Sequence, residues 1–342
     1  MIACAVRRVL SLLILSAVLG AAQAGTLSEA TFSSYTPLSS NLELARRLLS
    51  PLAAARIPEL LARSDAALRA QPVDLSKERF ALYVPSRTPP HGYALLVFVP
   101  PWRGARLPDG WATVLDRDGI IFVSAARSGN DASVLGRRDP LALLAEQNVV
   151  RRYPVDPDRI YIAGFSGGSR VAMRLALGYP DVFRGALLDA GSDPIGDSNI
   201  PLPPKDLFWR FQEASRLVYL TGADDLPRLG MAAVSMQSMR DWCVFDIHAE
   251  VAPHTAHDVA DPAALSRALN ALFHPVPPAP DRLAACRSAV DGDLTAKFQK
   301  AESLMAGGHR GAARDLLNDI DRRFGGLAAP RSVALAAELA KD

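Results

Sequence analysis

The chain has 342 residues, 49% of them hydrophobic and 22% charged, with 38 basic against 36 acidic side chains and a formal net charge of +2. That length supports a large buried core, and one α/β domain with an appendage is the natural expectation. The even charge balance leaves no electrostatic basis for binding nucleic acid or an anionic membrane.

In chain order, Arg7 and Arg8 precede an apolar run over residues 9–19, and Ala22-Gln23-Ala24 offers an A-x-A cleavage site before Gly25. The run is short for a membrane span, so residues 1–24 read as a cleaved secretory signal; an uncleaved anchor is the competing reading. The mature protein is then expected in the periplasm or outside the cell, with no membrane span. Cys4 leaves with the signal. Cys243 and Cys286 remain, either as one disulfide joining the main domain to the tail or as two unpaired thiols.

Residues 25–75 read as a helical and irregular flank, with Leu42, Leu44, Leu48, Leu49, Leu60 and Leu61 as its buried side chains. Strands are predicted over 78–85, 93–99, 119–124, 159–163, 185–190, 216–221 and 245–251, several as unbroken apolar runs of the kind covered on both faces. Helices are predicted over 140–153, 169–178, 230–243 and 262–273. This alternation predicts an α/β fold, a mostly parallel sheet with helices on both faces, over residues 25–274. The proline-rich stretch 275–280 is expected as a linker, because repeated proline forbids helix interior and central strand. Residues 281–342 form a C-terminal α-helical tail with apolar stripes at Leu294, Phe298, Ala301, Leu304 and Met305, then Ala312, Leu316, Leu317 and Ile320. The tail reads as a flank packed on the main domain or as one tetratricopeptide-like hairpin that contacts a protein partner.

The most informative stretch is Gly164-Phe165-Ser166-Gly167-Gly168-Ser169-Arg170. It contains G-x-S-x-G between a β-branched strand and a helix ending near Gly178. A serine on so tight a strand-to-helix bend needs small residues two positions away on either side, and its hydroxyl is left exposed at the sheet edge. A serine nucleophile needs a base within hydrogen-bond reach and an acid to orient that base. On the α/β-hydrolase scaffold these follow in the order Ser, Asp or Glu, His. The strand over 216–221 runs into Gly222-Ala-Asp-Asp225, making Asp225 the acid, with the adjacent Asp224 as the alternative and Asp189 as a third candidate. Of six histidines, His91 fails on chain order, His248 lies inside a strand, and His274 and His309 lie at or beyond the linker. His257 and His254 remain in the loop after the last strand. His257 is preferred, because Asp261-Pro262 opens a helix just beyond it.

An oxyanion hole needs two preorganised N–H donors. Gly167, just after the nucleophile, supplies the first. The loop Pro100-Pro101-Trp102-Arg103-Gly104 supplies the second, and Trp102 is its first residue with an N–H. Trp102, Phe208 and Trp209 are candidates for lining an acyl pocket, or else ordinary packing aromatics. The short segment between residues 191 and 216 leaves little room for a helical lid, which suits bulky or polymeric esters.

The segment Val155-Asp-Pro-Asp-Arg-Ile-Tyr-Ile-Ala-Gly-Phe-Ser-Gly-Gly-Ser-Arg-Val-Ala172, followed by Gly178-Tyr-Pro-Asp-Val-Phe183, resembles the secreted polyhydroxybutyrate-depolymerase-like esterases, a group with feruloyl and acetylxylan esterases among its members. The resemblance covers residues 78–273. It implies the α/β-hydrolase fold with Ser166 as nucleophile, Asp225 as acid and His257 as base. The chain departs from the group at Pro100-Pro101, where His-Gly is common, and at Ala256, where Gly commonly precedes the histidine.

The expected activity is hydrolysis of small-molecule or polymeric carboxylic esters through an acyl-enzyme, with no cofactor and no metal. A hydrolase-fold binding protein of the envelope and a serine peptidase are the alternatives.

Overall fold

The computed structural model describes residues 25–58, 70–197 and 200–341. The expected signal over 1–24 lies outside the described residues, as do Leu60 and Leu61. Eight strands form one sheet: β1 (Thr26–Ala30), β2 (Phe80–Val84), β3 (Tyr93–Val99), β4 (Ile120–Ala125), β5 (Val155–Phe165), β6 (Gly185–Asp189), β7 (Arg216–Gly222) and β8 (Ile247–Ala252). Their spatial order is β1-β2-β4-β3-β5-β6-β7-β8. β2 is antiparallel to β1 and β4, and every later pairing is parallel. This order, with the serine turn following β5, is the α/β-hydrolase fold.

The central strands bury both faces, so they carry no polar alternation. Along β3, Leu95, Val97 and Val99 enter one buried layer, and Ala94, Leu96 and Phe98 enter the other. The second layer is closed by α3 (Trp111–Asp118) and α8 (Pro262–Leu272). The first is closed by α1 (Asn41–Leu48), α4 (Asp139–Arg152), α5 (Gly167–Gly178), α6 (Lys205–Ala214) and α7 (Leu226–Asp241), with α2 (Pro51–Ala55) beside them.

The flank differs from its sequence reading in two ways. Residues 26–30 are an edge strand rather than helix or coil, and their exposed side chains gave no apolar run to read. Leu44 and Leu48 are buried, whereas Leu42 is exposed and Leu49 is half-buried.

Past the proline stretch come α9 (Pro280–Ala306), α10 (Arg310–Phe324) and α11 (Arg331–Leu339). Proline at the first position of α9 is compatible with a helix start, because its missing N–H would have had no partner there. Leu294, Phe298 and Ala301 of α9 and Ala313, Leu317, Ile320 and Phe324 of α10 join the same buried cluster as the body. Phe324 meets Trp242 edge-on with centroids 5.6 Å apart. Arg287 donates to Gln212 Oε1 and to the Trp209 carbonyl, and Lys205 pairs with Asp291 at 3.0 Å. Ala312, expected in the second stripe, is exposed and Ala313 takes the buried place, while Leu304, Met305 and Leu316 are half-buried against the same cluster.

Cys243 and Cys286 form a disulfide that joins the end of α7 to α9, with Cα atoms 5.8 Å apart. It closes a sequence separation of 43 residues. Replacing both cysteines by serine is expected to lower unfolding free energy by about 2–5 kcal/mol. Urea denaturation of the two proteins checks this; an unchanged midpoint would contradict it. No helix among the described residues is long and apolar enough to cross a membrane.

Candidate active site

Ser166 sits between β5 and α5 with φ 54° and ψ −119°, a backbone region that non-glycine residues rarely occupy. Two contacts enforce the bend. A Cβ on Gly164 would overlap the main chain of Gly168, and a Cβ on Gly168 would overlap the Val99 carbonyl oxygen. The bend is pinned by the Ser166 N–H, which donates to the Asp189 carbonyl at 2.8 Å.

The structure brings Ser166, His257 and Asp225 together at the carboxyl ends of β5, β8 and β7. The His257 Nδ1 atom lies 2.6 Å from Asp225 Oδ2, and Nε2 lies 2.9 Å from Ser166 Oγ. A carboxylate only accepts, so Nδ1 carries the proton and Nε2 is left to accept from the serine hydroxyl. Asp225 is the N-cap of α7; its Oδ1 faces the Arg228 N–H at 3.4 Å, and its side chain is nearly buried. The loops carrying Asp225 and His257 are stitched together: Ala223 N–H donates to the Ala252 carbonyl at 2.8 Å, and Asp224 N–H donates to the Thr255 carbonyl at 2.9 Å. The imidazole rests against Phe165, with ring centroids 5.1 Å apart. It remains 39% exposed and can be reached from solvent.

The alternative candidates stand elsewhere. Asp224 and His254 are exposed, and His254 occupies a left-handed turn at φ 52°. Asp189 is wholly buried, and its Oδ2 accepts the Ala260 N–H at 2.9 Å. Through its carbonyl and carboxyl, Asp189 therefore holds both the serine bend and the loop that carries His257.

Burial pushes the Asp189 carboxyl up to about 8 from an ordinary value of 3.8. The folded chain keeps a proton that the unfolded chain releases, so this residue makes stability fall as pH rises from about 4 to about 8. Asp139 and Glu146, both raised to about 7 by burial, act in the same direction. Asp189→Asn is expected to shrink the drop in melting temperature between pH 5 and pH 8 by at least about 2 °C. Thermal melts at the two pH values check this, and an unchanged drop would contradict it.

Of the two expected oxyanion donors, Gly167 is the first residue of α5, whose initial N–H groups have no partner inside the helix. The Trp102 main-chain N–H makes no hydrogen bond among the described residues. Its loop is braced on three sides: Pro101 carbonyl accepts from Asn130 N–H, Arg103 carbonyl from Arg127 N–H, and Pro100 carbonyl from Arg138 Nη2. The Trp102 ring lies between Phe98 and Phe165, with Arg106 stacked 4.3 Å over it.

Phe208 and Trp209 do not line the cavity at Ser166. Phe208 is buried in the core, and Trp209 carries Lys205 and Arg287 against its ring. They belong to α6, which packs its Phe208 and Phe211 inward, so the segment between β6 and β7 does hold a helix, but the residues of that helix do not line the cavity at Ser166.

Sequence reasoning missed Asn130 and Arg138, which reach the site from the segment after β4. Asn130 Oδ1 lies where a side chain on Gly167 would start. The only sequence signal there is the turn-forming run Ser128-Gly-Asn-Asp131, which names no role.

No family model matches the sequence, and no curated protein matches it. Among solved structures, the chain is similar to a ferulic acid esterase (16% identity, TM-score 0.42, covering 56% of this chain and 89% of that one). It is similar to an esterase of the planctomycete Thermogutta terrifontis (15% identity, TM-score 0.42, covering 58% of this chain and 87% of that one). It is also similar to an acylaminoacyl peptidase (14% identity, TM-score 0.41, covering 56% of this chain), and there it spans only 37% of the other chain.

Proposed function

We propose that the protein is a serine hydrolase of carboxylic esters. The observation that carries this reading is the continuous hydrogen-bonded chain from Ser166 Oγ through the His257 imidazole to Asp225 Oδ2, at 2.9 and 2.6 Å. His257 Nε2 takes the serine proton as Oγ attacks the ester carbonyl carbon. The negative charge moves to the carbonyl oxygen, where the N–H groups of Gly167 and Trp102 receive it. Collapse of this intermediate breaks the bond to the alcohol, which leaves with the proton held by His257. Water then gives a proton to His257 as it attacks the acyl-serine carbonyl, and collapse breaks the bond from the acyl carbon to Oγ, His257 returning the proton to Oγ as the carboxylic acid leaves. Asp225 holds the ring in the productive tautomer and stabilises its charged form. No step requires a metal or an organic cofactor.

We assign the chain to the polyhydroxybutyrate-depolymerase-like branch on the strength of the segment around Ser166 and the Tyr-Pro-x-x-Phe run after α5. Export from the cytoplasm is proposed from residues 1–24, and the disulfide agrees with an oxidising compartment. The organisation proposed is a hydrolase domain to residue 274, a linker over 275–280 and a helical tail.

The test compares turnover of p-nitrophenyl acetate with that of a peptide anilide. Ester cleavage without anilide cleavage supports the esterase. Anilide cleavage favours the peptidase, and no turnover of either by folded protein favours a binding role.

A further inference from the structure

We propose that the cavity beside Ser166 receives a carboxylate carried by the substrate, so that the substrate class is an ester with an anionic group on its acyl or alcohol part. This rests on the ester-hydrolase reading above.

The cavity measures about 420 Å³ and is bounded by Ser166 itself. Gly167, Arg170, Val171 and Arg174 line it from one face of α5, at the spacing that puts residues on one side of a helix. Arg138 enters from the segment before α4, and Arg228 from the first turn of α7. Four arginines thus line one space, and among the described residues Asp193 is the only carboxylate that lines it.

The charges do not cancel. Asp193 is consumed by a two-pronged pair with Arg170 at 2.7 and 2.5 Å. Arg174 faces the buried Asp139 at 3.7 Å and donates through Nη2 to the Leu48 carbonyl at 2.6 Å, and burial pushes the Asp139 carboxyl up to about 7. Among the described residues, Arg138 and Arg228 have no carboxylate within ion-pair distance.

Arg138 is only 4% exposed, and its Nε and Nη2 donate to the carbonyls of Ser128 and Pro100. Desolvation pulls its pKa below the usual guanidinium value. Arg228 is half-buried, and among the described residues the hydrogen-bond partner of its guanidinium is the Met231 sulfur at 3.3 Å. A guanidinium removed from water without an anion is costly, and a carboxylate bound between such groups recovers that cost. Arginine also matches a carboxylate with paired donors, which fixes orientation as well as charge. Arg228 follows the acid Asp225 by three positions, so an anion held there keeps the scissile ester close to the reacting atoms.

The test measures kcat/KM for two matched pairs. One is mono-4-nitrophenyl glutarate against its methyl ester, which puts the carboxylate on the acyl side. The other is 4-acetoxybenzoate against its methyl ester, which puts it on the alcohol side. The expected result is a preference of about ten-fold or more for the carboxylate in at least one pair, as for a hydrogen bond to a charged group. That ratio should collapse towards one in Arg228→Gln, persist in part in Arg228→Lys, and invert in Arg228→Glu. Added salt should lower it. Because each ratio is taken within one preparation, partial loss of folded protein cancels. Ester hydrolysis with no preference in either pair, or a preference that Arg228→Gln leaves intact, overturns the anion site alone. Absence of hydrolysis for all four esters, together with no fluorophosphonate labelling of Ser166, overturns the ester reading and the anion site with it.

Discussion

Ser166→Ala abolishes ester hydrolysis on the proposed mechanism, lowering kcat by about 10⁴- to 10⁶-fold. His257→Ala falls by a comparable factor, because among the described residues Nε2 at 2.9 Å is the ring nitrogen placed to take the Oγ proton. The double replacement loses no more than the worse single one, since the two groups act in one step. Asp225→Asn is expected to lose somewhat less, because the carboxamide can present its NH2 to Nδ1 and favour the wrong tautomer without removing either reacting atom. Additive losses across these variants, measured with p-nitrophenyl esters, would contradict a shared step. KM should move little, as none of the three side chains holds the substrate in the ground state.

The largest stability effect is expected at Arg216 and Asp246, which form a buried ion pair at the base of β7 and β8, with side chains 8% and 7% exposed. The pair is a junction. Arg216 Nε donates to the Ala271 carbonyl at 2.6 Å at the end of α8, and Asp246 Oδ2 accepts the Val276 N–H at 2.9 Å where the proline stretch begins. Removing one partner leaves the other charge in the core, so Arg216→Ala is expected to cost about 3–5 kcal/mol. Arg216→Met with Asp246→Asn should cost less than the two single changes added together, because no charge then stays buried. Denaturant unfolding checks both. A loss under about 1 kcal/mol for Arg216→Ala would place the pair in the class of exposed ion pairs instead.

How much was legible in the sequence depended on whether burial left a mark on composition. β3 was read at its true ends because both its faces are covered and all seven residues are apolar and buried. β1 was not read, since it lies at the sheet edge with four of its five residues exposed. α3 and α6 were missed for another reason. Both are short, and their buried apolar residues, Trp111, Val114 and Leu115 in one and Leu207, Phe208 and Phe211 in the other, span too few turns to display a helical period. The serine bend and the acid turn were legible because each makes a steric demand on glycine that the sequence displays directly. His257 could be separated from His254 only by the helix start that follows it, and the structure puts His254 out in solvent. The second wall of the site was opaque. Asn130 and Arg138 arrive from a loop whose residues carry no spacing of their own, and only tertiary packing brings them beside Gly167.

The central claim is that the Ser166 hydroxyl is a nucleophile activated by His257. A fluorophosphonate probe followed by peptide mass analysis tests it most directly. The account predicts one phosphonyl adduct per chain on the peptide containing Ser166, formed rapidly by the native protein and lost in Ser166→Ala and His257→Ala. Folded native protein that takes up no adduct, or takes it up equally after His257→Ala, would contradict it.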